Sequence, residues 1–509
     1  MPGHTTHLPH GSGVRGLSDL TAIDSNEGRF GRLFPDLAPA EFAEADLLAL
    51  AEKMTEGADG PKDGPDDEES HIPGAYTYLG QFIDHDLTFD PSTFAEQKSD
   101  PKGIVDFRTP RFDLDNVYGR GPGDQPFLYD GIKLLLGEKF QIAARNPKAF
   151  DVPRAAASSK GIRHAIIGDP RNDENVIVSQ LQGMLLRFHN RLVDLNPGWD
   201  FDRVQQEVRW HYQWVVLHDF LPLIVRQDVL DAVSPAIADP SLGFGAHPAH
   251  LRFYKFENPV MPVEYSVAAY RLGHSMVRPG YRLNEHTDPI AIFNPDNPPL
   301  GLNGFGAFPP SWAIDWQRLI DLGIPQAVGD DKDRIQMAYK MDTSLVNPLA
   351  HLPKSIAGDE ASADPRKFNL AFRNLLRGEI LRLPSGQDVA TKMGVPVLGD
   401  DQIVIGRALT PAPTDPQPQP INVVAPGLAG KCPLWAYVLA EARAGWDKDD
   451  PTSQVRLGPV GGTIVAETFL ALLRRDRRSF LRADPHWKPS LGDGTTFTLA
   501  DLLNVALQG

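Results

Sequence analysis

The chain has 509 residues, and its 66 acidic against 50 basic side chains give a formal charge of −16. That balance excludes a nucleic-acid binder working through bulk positive charge and disfavours adhesion to anionic membranes, while 41% hydrophobic residues suffice for a buried core. One cysteine, Cys432, leaves no intramolecular disulfide.

Residues 1–30 are polar and rich in Gly and His, which predicts an extended N-terminal arm. The N-terminus lacks the charged and apolar regions of a secretory signal, and no apolar run is long enough to span a bilayer. The expectation is a cytoplasmic protein, or one exported without a cleaved signal. A helix is predicted over 40–54, followed by a solvated loop at EGADGPKDGPDDEES, residues 56–70. In DENVIVSQLQGMLLRFHNRLVDLNP, the apolar residues Ile177, Leu181, Met184, Leu185, Phe188 and Leu192 recur at steps of three and four. Asn172 or Asp173 can cap that helix and Asn196-Pro197 ends it. A second long helix is predicted over 203–226, with others at 265–278, 312–321, 366–378, 433–443 and 464–474. The Pro-rich stretch 409–430 predicts a polyproline-like connection. Alternating strands are scarce, so the reading is mainly α with long loops and few short strands.

Four segments carry chemistry. In YTYLGQFIDHDLTFDP (76–91), a helix puts Gln81, Asp84 and His85 on one face, able to do acid–base work; a buried histidine satisfied by its neighbours has the same signature. In RTPRFDLDNVYG (108–119), Thr109, Arg111, Asp113 and Asp115 alternate. Oxygen ligands so spaced can converge on a hard cation such as calcium, Arg111 offering only its carbonyl, although Asp-rich turns are commonly just solvated. In GDPRNDEN, Arg171 precedes the long helix and Glu174 lies in its first turn. In AAYRLGHSMVRP, His274 follows Gly273, which lets a flat group come close; a lone histidine there is more often structural.

The order and spelling of these segments resemble the animal-type haem peroxidases of the peroxidase–cyclooxygenase superfamily, the group that includes myeloperoxidase and lactoperoxidase. Gly80 to Asp86 looks like the distal helix of that family, RTPRFDLDNVYG like its calcium loop, GDPR like the distal arginine segment and YRLGHSMVRP like the proximal helix. FRNLLRGEILRLPSG (372–386) resembles a degraded later proximal segment, and CPLWAYVLAEA with LGPVGGTIVAE resembles the C-terminal region of bacterial members. The resemblance covers about 70–480 and implies one haem peroxidase domain over 31–509, with the Pro-rich connection inside it.

Carried over position by position, the resemblance makes His274 the proximal iron ligand and Asn374 its hydrogen-bond partner. His85 becomes the distal base, Arg171 the distal cation and Gln81 the amide facing bound peroxide or halide. Asp86 would join Thr109, Arg111, Asp113 and Asp115 around one calcium ion. Asp84 and Glu174 match the carboxylates that esterify haem, and Arg271 matches a residue near a haem propionate. The implied cofactors are one haem, haem b or ester-linked, and one calcium. The implied activity is oxidation of bromide, iodide, thiocyanate or phenolic donors by hydrogen peroxide through a ferryl intermediate, in the service of oxidative-stress responses.

Asn175 stands where myeloperoxidase has the methionine of its sulfonium link, which points away from chloride. Two other functions compete. Fatty-acid dioxygenases of the same superfamily place a tyrosine three residues before the proximal histidine, where this chain has Arg271. Its nearest tyrosine, Tyr270, is turned by about 100° on a helix and so should point away from the distal cavity. A non-catalytic haem- or calcium-binding adhesion module has no use for His85, Arg171 and Gln81 together.

Overall fold

The computed structural model describes residues 30–509 apart from 58–59, 91, 102, 142–145, 147, 295–300, 325–331, 410–416, 451 and 493–495. The N-terminal arm therefore lies outside the described residues, save its last position. The fold is mainly α, as the sequence predicts, and no sheet among the described residues exceeds two strands. The elements that matter to the site are α1 (Glu44–Met54), α2 (Ala75–Leu87), α3 (Val176–Leu195), α4 (Phe201–Trp214), α5 (Leu370–Ile380), α6 (Leu434–Ala444), α7 (Pro459–Arg475) and α8 (Leu499–Leu507). No described helix is long and apolar enough to cross a membrane.

Helix α3 is the central rod. Its apolar stripe, from Ile177 through Leu181, Leu185 and Phe188 to Leu192, is buried, with α2, α4 and α8 packed along it. Complete burial of such a stripe is the main source of helix stability here, because propensity alone is weak. Asn175, rather than Asn172 or Asp173, caps this helix: its Oδ1 accepts from the Ile177 and Val178 amides at 3.0 and 2.9 Å. Pro170–Asp173 forms a separate 3₁₀ turn, so Glu174 precedes the helix instead of lying in its first turn.

Helix α2 is buried on nearly all sides. Gly80 sits at its middle because a Cβ there would meet the Phe220 ring at 3.3 Å and the Tyr270 hydroxyl at 4.0 Å. Two short pairings tie distant segments to the site. Strand β1 (Phe30–Gly31) runs parallel to β3 (Met261–Pro262), and β2 (Glu69–Pro73) runs antiparallel to β4 (Met337–Tyr339). Buried Glu264 accepts from the Leu33 and Phe34 amides at 3.1 and 3.3 Å, which fixes the N-terminal segment beside the strand pair.

Four local expectations are corrected. Segment 203–226 is broken by a π-helical stretch, Val215–Phe220. Of 312–321, only Trp316–Arg318 forms a helical turn. The loop at 56–70 is not uniformly solvated: Glu56 and Glu68 are buried, and the Arg282 fork takes Asp63 at 2.6 Å. The described part of 409–430 holds an edge strand, Gln419–Pro420, and a helical turn, Ile421–Val424, with Pro420 at the junction as the cap of the turn, where no amide is needed.

Candidate active site

A cavity of about 420 Å³ opens between α2, the turn before α3, the segment 264–274 and α5. His85, Arg171, Gln81, Asp84, Glu174, Arg271, His274 and Asn374 all line it. Eight residues scattered over nearly 300 positions of sequence thus face one space.

On the distal side, Nδ1 of His85 stands 2.7 Å from Oδ1 of Asn172, whose own amide donates to Gln182 at 2.8 Å. That anchored oxygen demands a proton on Nδ1 and leaves Nε2 as the basic atom toward the cavity. Burial, and then the Arg171 charge, pushes His85 down to about 4, so the ring is neutral and able to accept a proton. Arg171 is held by Asp169 at 2.7 Å and donates to the His85 carbonyl at 3.1 Å, with its guanidinium 4.6 Å from the Phe89 ring. Gln81 is fixed at both ends of its amide. It donates to Glu174 at 3.3 Å and accepts from Asn175 at 3.1 Å.

The proximal segment is not an α-helix. Glu264–Ala268 is π-helical and Ala269–His274 is 3₁₀, with the change of winding at Ala268. In a 3₁₀ turn residues three apart eclipse, which brings Arg271 and His274 to the same side. Tyr270 lines the same cavity, contrary to the expectation that it points away. Its ring stacks on Tyr265 at 4.7 Å and its buried hydroxyl has no hydrogen-bond partner. Nδ1 of His274 is 2.7 Å from the Asn374 side-chain amide, so Nε2 is the ring atom left for a ligand. Burial, followed by the Arg271 charge, lowers His274 to about 3 and keeps it neutral, the form that binds metal.

Two carboxylates flank the cavity in different states. Asp84 would be raised by burial, but Arg271 at 3.3 Å, with His85 and Arg171 beyond, holds it below the usual carboxylate range. Burial lifts Glu174 to about 7, only partly opposed by Arg171 and Arg271. Arg373 and Arg377, one turn apart on α5, also face the cavity. Neither forms an ion pair among the described residues, and burial pushes Arg377 down to about 10. These residues fit haem: one free imidazole nitrogen on the proximal side, a space lined by Ile104, Leu349, Leu352 and Phe293 for an apolar plane, and unpaired cations for acidic substituents.

Behind the distal helix, Asp86, Asp113 and Asp115 bring carboxylate oxygens within 4.8 Å of one another. Both oxygens of buried Asp86 and one of Asp115 have no hydrogen-bond partner. Burial, followed for Asp86 by its acidic neighbours, drives both carboxyls well above the usual range, with Arg108 opposing. An oxygen-only set of this kind fits calcium. Thr109 donates to Asp113 at 2.8 Å and so adjoins the cluster. The Arg111 side chain turns instead toward Asp476, at 4.0 Å, leaving its carbonyl as the group that the sequence reading assigned. Leu114 takes a left-handed conformation, φ 56°, which bends the loop so that Asp113 and Asp115 face the same way.

Residues 92–296 match the family model described as animal haem peroxidase. Over that stretch the chain is similar to the animal haem peroxidases. Its sequence is 30% identical over 163 residues to chorion peroxidase of Aedes aegypti, covering 30% of this chain and 19% of that protein. It is 31% identical over 229 residues to thyroid peroxidase of Canis lupus familiaris, covering 40% and 22%. The chain thus spans about a fifth of the length of these curated relatives. Among solved structures, the domain is similar to peroxidase A from Dictyostelium discoideum, with TM-score 0.57, 15% identity and coverage of 95% and 93%. It is also similar to a fatty acid alpha-dioxygenase of Arabidopsis thaliana, with TM-score 0.53, 13% identity and coverage of 95% and 76%. At these identities the likeness is one of fold alone.

As site residues, Asn172, Asp169 and Arg108 have no signal in the sequence. Each bonds to a partner remote in sequence, and none stands at a periodic position that would have marked it.

Proposed function

We propose that this chain is a haem peroxidase that uses hydrogen peroxide to oxidise bromide, iodide, thiocyanate or phenolic donors. The observation that carries the reading is His85, its Nδ1 tied to Asn172, facing the same cavity as Arg171 and the His274–Asn374 pair. Bound haem, held by His274, would supply the redox chemistry. His85 Nε2 takes a proton from peroxide and returns it to the departing oxygen. Arg171, pre-positioned by Asp169, stabilises the negative charge that develops there. Gln81, locked between Glu174 and Asn175, presents a fixed dipole that can orient a small ligand. Asp84 and Glu174 are the groups from which ester links to haem would form. Calcium at Asp86 would fix the backbone next to His85. Asn175 caps α3 and offers no sulfur, so chloride is a poor donor.

Steady-state oxidation of bromide, thiocyanate and a phenol by the haem-loaded protein tests this. Peroxide-dependent turnover lost in His85→Ala and Arg171→Ala supports it, and a haem-loaded protein inert to peroxide overturns it. Tyr270 favours a second reading, hydrogen abstraction from a fatty acid. Oxygen uptake with a C16–C18 fatty acid, abolished in Tyr270→Phe and without peroxidase turnover, would establish that reading instead.

A further inference from the structure

A chain of charges runs from the carboxylate cluster to the distal arginine. Asp115 Oδ1 lies 3.2 Å from Arg108 Nη1, Arg108 Nη2 lies 2.7 Å from Asp169 Oδ2, and the same oxygen lies 2.7 Å from Arg171 Nη2. The side chains of Arg108 and Asp169 are 3% and 0% exposed. In so dry a setting each charge strongly fixes its neighbour. Arg108 is contested from both ends. On one side stands Asp115, whose second oxygen is unpartnered and which belongs to the same cluster as Asp86 and Asp113; on the other stands Asp169. A divalent cation in the cluster matches Asp115 locally and leaves Arg108 to Asp169, which then holds Arg171 by its backbone amide at 2.8 Å and its guanidinium at once.

We propose that Arg108 and Asp169 are positioning residues, which transmit occupancy of the Asp86, Asp113 and Asp115 cluster to the guanidinium of Arg171. The proposal rests on the reading of Arg171 as the distal cation. A competing route exists, since Asp86 adjoins His85 in sequence.

The test uses haem-loaded protein and fluoride, a small anion whose affinity senses a distal cation, read from the Soret band with calcium present and after chelation. In the wild type, chelation should weaken fluoride binding by about tenfold. In Asp169→Asn the affinity should start low and chelation should change it no further, while added calcium still raises the melting temperature because the cluster is intact. Arg108→Lys, which keeps the charge but loses the fork, should show an intermediate response and serves if Asp169→Asn does not fold. Equal weakening by chelation in wild type and Asp169→Asn would assign the coupling to the Asp86–His85 route and overturn the relay. Wild-type fluoride affinity in Arg171→Ala would instead overturn the reading of the distal site itself.

Discussion

Oδ1 of Asn172 accepts from Nδ1 of His85 at 2.7 Å, and the Asn172 amide is in turn anchored on Gln182. This bond selects the tautomer that leaves Nε2 without a proton. His85→Ala should slow reaction with peroxide by about 10²- to 10⁴-fold. Asn172→Ala should cost less, about 10- to 100-fold, with the donor KM unchanged. Stopped-flow rates with peroxide check both, and a wild-type rate in Asn172→Ala would deny the tautomer a role.

His274 offers one ring nitrogen to the cavity and Asn374 engages the other. His274→Ala should therefore lose haem or bind it abnormally, as read by haem content and the Soret band. Asn374→Ala should retain haem with a shifted spectrum, since only the partner of the ligand has changed. Normal spectra in both variants would reassign the proximal side.

Asp86 and Asp115 are buried with unpartnered oxygens, and together with the half-buried Asp113 they repel one another unless a cation joins them. Calcium at about one hundred times its Kd should stabilise the protein by about 2.7 kcal/mol. Asp113→Ala should remove that gain and lower the rate with peroxide. Differential scanning fluorimetry with calcium and after chelation, together with metal analysis, decides it.

Asp84 and Glu174 stand at the cavity, one ionised and one lifted to about 7 by burial. After turnover with peroxide, denaturing mass spectrometry should find haem mass retained on the chain. Asp84→Val combined with Glu174→Gln should release it. Complete extraction of haem from peroxide-treated wild type would show that the two carboxylates act only as polar neighbours.

Burial alone would raise the Asp169 carboxyl, but Arg171 and Arg108 outweigh it and hold the group well below the usual carboxylate range. Its contribution to stability is present above the unfolded carboxyl pKa of about 3.9 and is lost as pH falls through the folded value. Acid unfolding of Asp169→Asn should therefore show a shallower dependence on pH below about 4, from a protein about 3–5 kcal/mol less stable at neutral pH. Identical acid profiles for variant and wild type would remove the ion pair from the stability account.

The sequence exposed what is local or periodic. The stripe of α3 and the shared face of Gln81, Asp84 and His85 follow from helical spacing, and the cavity confirms that the latter three meet. His274 and Asn374, a hundred residues apart, could be paired only by resemblance to a family. The winding of 264–274 could not be read at all, because π and 3₁₀ turns carry no hydrophobic period of their own. Asn172 was taken for a helix cap because its side chain suits caps, whereas the tertiary contact with His85 claims it.

Phe30 and Leu381 both line the cavity. The stretch that matches the family model, residues 92–296, contains Arg171 and His274 but neither His85, Gln81 nor Asn374. Trimming the protein to that stretch would leave half a socket, without the walls that α2 and α5 supply. For recombinant work, the smallest useful piece is therefore set by closure of the pocket rather than by likeness to relatives, and must reach from Phe30 past Leu381.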